Sequence, residues 1–150
     1  MSARLPDLYA ILQVDRSATR GQIRTAYRRL RKAAKATRVA GAGRDDALHR
    51  IRKAAKRLRY TAAAMGEPAI AEQAKTIQTL LGEHQDSVVS RAHLLEAARA
   101  AEAAGEDTFS YGLLYQQERD IARGCRARLE EALDELAESM AVEQGGRVGL

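Results

Sequence analysis

Between Arg20 and Val39 the apolar side chains Ile23, Tyr27, Leu30 and Ala34 recur at spacings of three and four, with charged residues between them. That recurrence has a helical period, so an amphipathic helix is expected here with this set facing a core. Gly21 weakens its first turn by about 1 kcal/mol relative to alanine. "AGAGRDD" ends it, and Asp45 or Asp46 is placed to cap a second helix reaching about Ala64, with Leu48, Ile51, Ala55, Leu58 and Ala62 inward. "MGEP" predicts a bend, and a third helix from Pro68 or Ala69 carries Ile70, Ala74, Ile77 and Leu81, with Gly82 interrupting or ending it. "EHQDSVVSRAHLLEAARAAEAAG" predicts a fourth helix with Val88, Ala92, Leu95 and Ala98 inward, closed by Gly105. "EDTFSYG" is expected to be a linker pinned by Phe109 and Tyr111, before a last helix using Leu114, Ile121, Cys125, Leu129, Leu133, Leu136 and Met140. Residues 7–14 predict one short apolar turn or helix, and "DRSATRGQ" a break with Ser17 or Thr19 as cap. Short connections favour antiparallel neighbours, so the expected fold is an all-α antiparallel helical bundle. The expected division is a short N-terminal segment over 1–16, the helical domain over 17–141 and a flexible tail over 142–150.

Composition agrees with helices: alanine, arginine, leucine and glutamate dominate, there are two prolines, and aromatic residues make up 4% of the chain. A chain of 150 residues can bury a real core as one domain without a disulfide or a structural metal. One cysteine and three scattered histidines give no internal disulfide and no metal-ligand spacing, and Cys125 reads as a small buried hydrophobe. No apolar run reaches the roughly 18 residues needed to cross a bilayer, and the N-terminus lacks a signal-peptide pattern, so no membrane partner and a cytoplasmic location are expected.

Charge changes the picture more than composition does. The formal net charge is +5, yet residues 20–59 hold 15 Lys or Arg against two acids, while the rest of the chain holds 10 against 18. The stretch "DDALHRIRKAAKRLRY" puts seven basic side chains, His49 included, into sixteen residues. On a helix, His49, Arg52, Lys56 and Arg59 form a row about a quarter turn from the apolar set, so their aliphatic stems lie beside the core. Arg24, Arg28, Arg31 and Lys35 repeat the device on the preceding helix. One reading is an ordinary solvated face of a helical interaction or structural protein, but two acids are too few to pair with fifteen bases inside the segment, and exposed pairs contribute only about 0–1 kcal/mol each. A polyanion gives such rows a use, because Arg grips phosphate oxygens through two parallel donors and Lys acts as a mobile point charge. Nucleic acid also carries phosphates and is the rival ligand, although the rows lack stacking aromatics, a zinc finger or a recognition-helix unit. No phosphate-binding glycine loop, HExxH or carboxylate cluster points to catalysis, so no enzyme activity, catalytic residue, metal or cofactor is expected.

The motifs "LHRIRKAAKRLRY", Lys75, Gln78 and "LLGEHQD", followed by "AGEDTFSYGLL", resemble the conserved-histidine alpha-helical (CHAD) domain, with Leu81, Gly82, Gln85 and Asp86 matching its second signature. "YRRLRKAAK" resembles the basic helix that precedes the histidine helix in the family's C-terminal half, and the likeness covers about residues 20–136. The resemblance implies a bundle that binds inorganic polyphosphate through basic residues, and a setting beside triphosphate-cleaving domains or in polyphosphate granules. It assigns the binding row to His49, Arg52, Lys56 and Arg59 with Lys75 from the next helix, supported by Tyr60, Gln78 and Asp86, the last orienting a nearby Arg or His. Family members carry two similar halves and this chain carries one, which implies a homodimer that restores the missing half. At the front, Tyr9, Leu12, Val14, Ala18, Ile23, Ala26, Tyr27 and Leu30 also resemble the first two helices of a J domain, but Lys35, Ala36 and Thr37 stand where that family has His, Pro and Asp.

Overall fold

The structure, a computed structural model, describes residues 20–39 and 44–145. These form four helices: α1 (Arg20–Val39), α2 (Arg44–Ala64), α3 (Pro68–Ala103) and α4 (Phe109–Gly145). The fold is all-α, an antiparallel helical bundle. The expected short helix or turn over 7–14 and the capping residues Ser17 and Thr19 lie outside the described residues.

The described residues divide into two compact units, one of those up to Gln78 with those from Leu133 onward, the other of Thr79–Ala132. In the first, α1 and α2 pack on each other, joined by the start of α3 and the end of α4. Its core is Ile23, Ala26 and Leu30 from α1, Leu48, Ile51, Ala55, Leu58 and Ala62 from α2, Ile70, Ala74 and Ile77 from α3, and Leu136 and Met140 from α4. Every inward position expected on α2 is buried, because its apolar set keeps one phase over about four turns. On α1 the burial shifts slightly: Ala26 is buried, while Tyr27 and Ala34 are only half-buried. Two polar ties close this unit at its ends, the Gln73 amide donating to Ser139 Oγ at 2.8 Å and Arg20 Nε meeting Glu67 at 4.0 Å.

The second unit is a helical hairpin of α3 and α4. Its buried side chains include Leu80, Leu81, His84, Ser87 and Ala101 on α3 and Ala122, Cys125, Leu129 and Ala132 on α4. Ser87 Oγ donates to the Glu118 carbonyl at 2.6 Å, so a small polar residue holds the two helices together where a larger side chain would part them.

Five expectations are corrected here. Gly82 neither ends nor interrupts a helix: α3 runs through it for 36 residues. A single interior glycine costs about 1 kcal/mol, which the buried neighbours Leu80, Leu81 and His84 outweigh. With α3 continuous, its inward phase is set by His84 and Ser87, leaving Ala92 and Leu95 exposed and Val88 and Ala98 half-buried. Phe109 does not pin a linker; it opens α4 with 68% of its surface exposed, its N–H accepted by the Asp107 carboxylate at 3.0 Å in an N-cap. Leu114 and Ile121 are likewise exposed rather than inward, and Leu133 is half-buried. Asp45 and Asp46 sit within the first turn of α2, where their charge complements the helix dipole, rather than ahead of it.

The turns after α2 and after α3 follow one mechanism. Gly66 and Gly105 each take a φ of 74°, a left-handed conformation that side chains disfavour. After α3, Glu106 N–H bonds the Ala101 carbonyl at 2.9 Å and Gly105 N–H the Glu102 carbonyl at 3.0 Å; after α2, Glu67 N–H bonds Ala62 at 2.9 Å and Gly66 N–H bonds Ala63 at 3.2 Å. These paired bonds are Schellman motifs, satisfying carbonyls that a helix end otherwise leaves open.

Candidate anion-binding site

The α1 row is anchored by a buried stripe. Ile23, Ala26 and Leu30 fix the rotation of the helix, and this leaves Arg28, Arg31 and Lys35 exposed and Arg24 half-buried. On α2 the buried Leu48, Ile51, Ala55 and Leu58 do the same, leaving His49, Arg52 and Lys56 exposed and Arg59 half-buried. Lys75 is exposed and Gln78 half-buried on α3. All of these belong to the first unit; Asp86 is exposed and belongs to the second.

Among the described residues, Arg24, Arg28, Arg31, Lys35, His49, Arg52, Lys56 and Lys75 make no ion pair or side-chain hydrogen bond. Arg59 differs. Its Nη1 donates to Gln78 Oε1 at 3.2 Å, and its guanidinium carbon lies 5.4 Å from the centroid of the Tyr60 ring. The sequence row gives Arg59 no special standing, because the partner amide lies nineteen positions away on another helix.

Among the described residues, no group of three or more His, Cys, Asp or Glu side chains could hold a metal ion, and no helix is long and apolar enough to cross a membrane. Cys125 is buried in the second unit, and its Sγ donates to Glu83 Oε2 at 3.6 Å while Arg128 approaches both groups. Burial first, and then the Glu83 carboxylate, push the thiol's pKa up despite the opposing pull of Arg128. It stays protonated near neutral pH and is a poor nucleophile. A surface groove of about 450 Å³ is lined by Ile70, Gln73 and Ser139 with Glu135, Glu138 and Glu143. Its carboxylates oppose an anion, so it does not extend the basic rows.

Comparison with known proteins gives a family. The model of the CHAD domain matches residues 5–95, more than half of the chain, a span that includes both basic helices, Lys75, Gln78 and Asp86. Two curated Mycobacterium tuberculosis proteins, Uncharacterized protein MT2285 (strain CDC 1551 / Oshkosh) and Uncharacterized protein Rv2226 (strain ATCC 25618 / H37Rv), are each similar to this chain at 61% identity over 119 residues. The alignment takes in 76% of this chain and 23% of each relative, so the chain spans about a quarter of the length of the curated relatives it matches. No solved structure matches.

Proposed function

The chain belongs to the CHAD-domain family, and from that premise we propose that it binds inorganic polyphosphate without covalent chemistry, using Arg24, Arg28, Arg31 and Lys35 of α1, His49, Arg52, Lys56 and Arg59 of α2, and Lys75 of α3. The observation that carries the reading is the absence of acidic partners, among the described residues, for all nine of these side chains, eight of them on the packed helices α1 and α2. Like charges on one helix repel and destabilise it by a few tenths of a kcal/mol per pair. A linear polymer with a charge on every phosphate reverses that sign, because each cation then faces an anion. The mechanism is multivalent neutralisation: guanidinium groups grip phosphoryl oxygens through paired donors, the lysines add mobile point charges, and His49 adds charge when protonated.

In this reading the domain is a binding module rather than an enzyme, it works in the cytoplasm or at polyphosphate granules, and a second copy of the chain supplies the half that longer family members carry. The deciding experiment titrates the protein with long-chain polyphosphate and with duplex and single-stranded DNA at matched ionic strength. Preference for polyphosphate after correction for charge density is the expected result. Preference for DNA moves the assignment to a nucleic-acid module, and release of free phosphate during the same incubation moves it to an enzyme.

A further inference from the structure

Arg59 stands apart from the rest of its row: it is half-buried, rests beside the Tyr60 ring and is bonded by a side chain on α3. Resting on the polyphosphate reading above, we infer that Gln78 is a positioning residue for the anion, fixing the Arg59 guanidinium in place while leaving its charge whole.

The argument starts from the identity of the acceptor. A guanidinium has donors only, so the Gln78 atom that meets Nη1 is the carbonyl oxygen, at 3.2 Å. That bond uses one of five N–H donors and leaves four for an anion. A carboxylate at the same place would hold Arg59 as well or better, but it would also cancel the charge that an anion needs. The neutral amide therefore separates two effects that an ion pair joins, direction and charge. The Tyr60 face, 5.4 Å from the guanidinium carbon, restrains the group from a second side and also leaves its charge intact. Lys75 stands three residues before Gln78 on α3, hence on the neighbouring part of the helix surface. Arg59 with Lys75 is thus a place where α2 and α3 together present cations, one held and one mobile. Ordering a long side chain is a cost that binding otherwise bears, and prior anchoring removes part of it.

Polyphosphate affinity and its salt dependence, measured on the full chain by calorimetry, test this. Gln78→Ala and the near-isosteric Gln78→Met should weaken binding about three- to tenfold, the size expected for one side chain that must now be ordered on binding. Because every cation remains, the slope of log affinity against log salt should not change. Gln78→Glu should weaken binding more than tenfold and lower that slope by about one, as if one cation had been lost. In an Arg59→Ala background, Gln78→Met should have no further effect, an outcome that a general packing role for Gln78 would not give. Gln78→Met serves if the alanine variant fails to fold. Unchanged affinity in Gln78→Met, or an unchanged slope in Gln78→Glu, overturns the positioning role while the wild-type affinity stands. Absence of saturable polyphosphate binding in the wild type overturns the functional reading and this inference with it.

Discussion

Leu58 and Arg59 are adjacent and opposite in role: the leucine is fully buried and the arginine carries its charge at the rim of the core. This closeness makes a charge-removal test clean. Replacing Arg52, Lys56 and Arg59 together by alanine leaves Leu48, Ile51, Ala55 and Leu58 in place, so helical circular dichroism should be retained and stability should shift by no more than about 1–2 kcal/mol. Polyphosphate affinity should fall about a hundredfold or more at low salt, since three charge-assisted contacts disappear. Full affinity with an intact fold would place the binding site elsewhere. Cys125 gives a residue-scale prediction of another kind. Burial and Glu83 raise its pKa, so the folded state holds the thiol proton more tightly than the unfolded chain does. The resulting stabilisation is complete below the ordinary thiol range, near pH 8.5, and is lost as pH rises through the higher folded value. Alkylation at pH 8 should be slow in the native protein and fast in denaturant, and Cys125→Ser should flatten the alkaline end of the stability curve. Rapid alkylation of the native thiol would contradict the burial.

At the scale of elements, glycines with different backbones predict opposite signs. Gly105 closes α3 with φ of 74°, so Gly105→Ala should destabilise by about 1–2 kcal/mol even though nothing lies within 4 Å of the added Cβ. Gly124 lies inside α4, with the same open space and no positive φ, so Gly124→Ala should stabilise by about 0.5–1 kcal/mol. Urea unfolding of the two variants checks both signs, and the same sign for both would show that space rather than backbone conformation governs these positions. The exposed Phe109, Leu113, Leu114 and Ile121 show why the α4 pattern misleads before the fold is known. A helix in a two-helix hairpin needs only a narrow buried strip, and Ala122, Cys125 and Leu129 already supply it.

For the whole molecule, binding by many weak contacts has a signature that a single pocket lacks. Affinity per chain should climb with polyphosphate length, because contacts after the first are effectively intramolecular. Triphosphate should therefore bind at least about a hundredfold more weakly than a polymer of roughly fifty phosphates. Calorimetry giving equal affinity for the two would favour a small pocket instead. If a second copy completes the surface, long polyphosphate should also promote the dimer, since a ligand shared by two chains links binding to association. Light scattering over a wide protein concentration range checks this, and a strict monomer with and without polymer would remove the homodimer from the proposal.

What the sequence determined by itself follows from local periodicity. The inward set of α2, the turns at Gly66 and Gly105 and the all-α class all depend on residues within a few turns of one another. The likeness to the CHAD domain was legible for the same reason, since its motifs are short helical runs, and the family match over residues 5–95 bears it out. The tertiary structure alone decided whether α3 continues past Gly82, which faces of α3 and α4 turn inward beyond it, and that His84 and Ser87 are buried while Leu95 and Leu114 are not. Only packing could also bring Gln78 to Arg59 and Glu83 to Cys125, pairs separated by 19 and 42 positions. Helix period fixes which residues share a face; which face is covered depends on the helices that arrive from elsewhere in the chain.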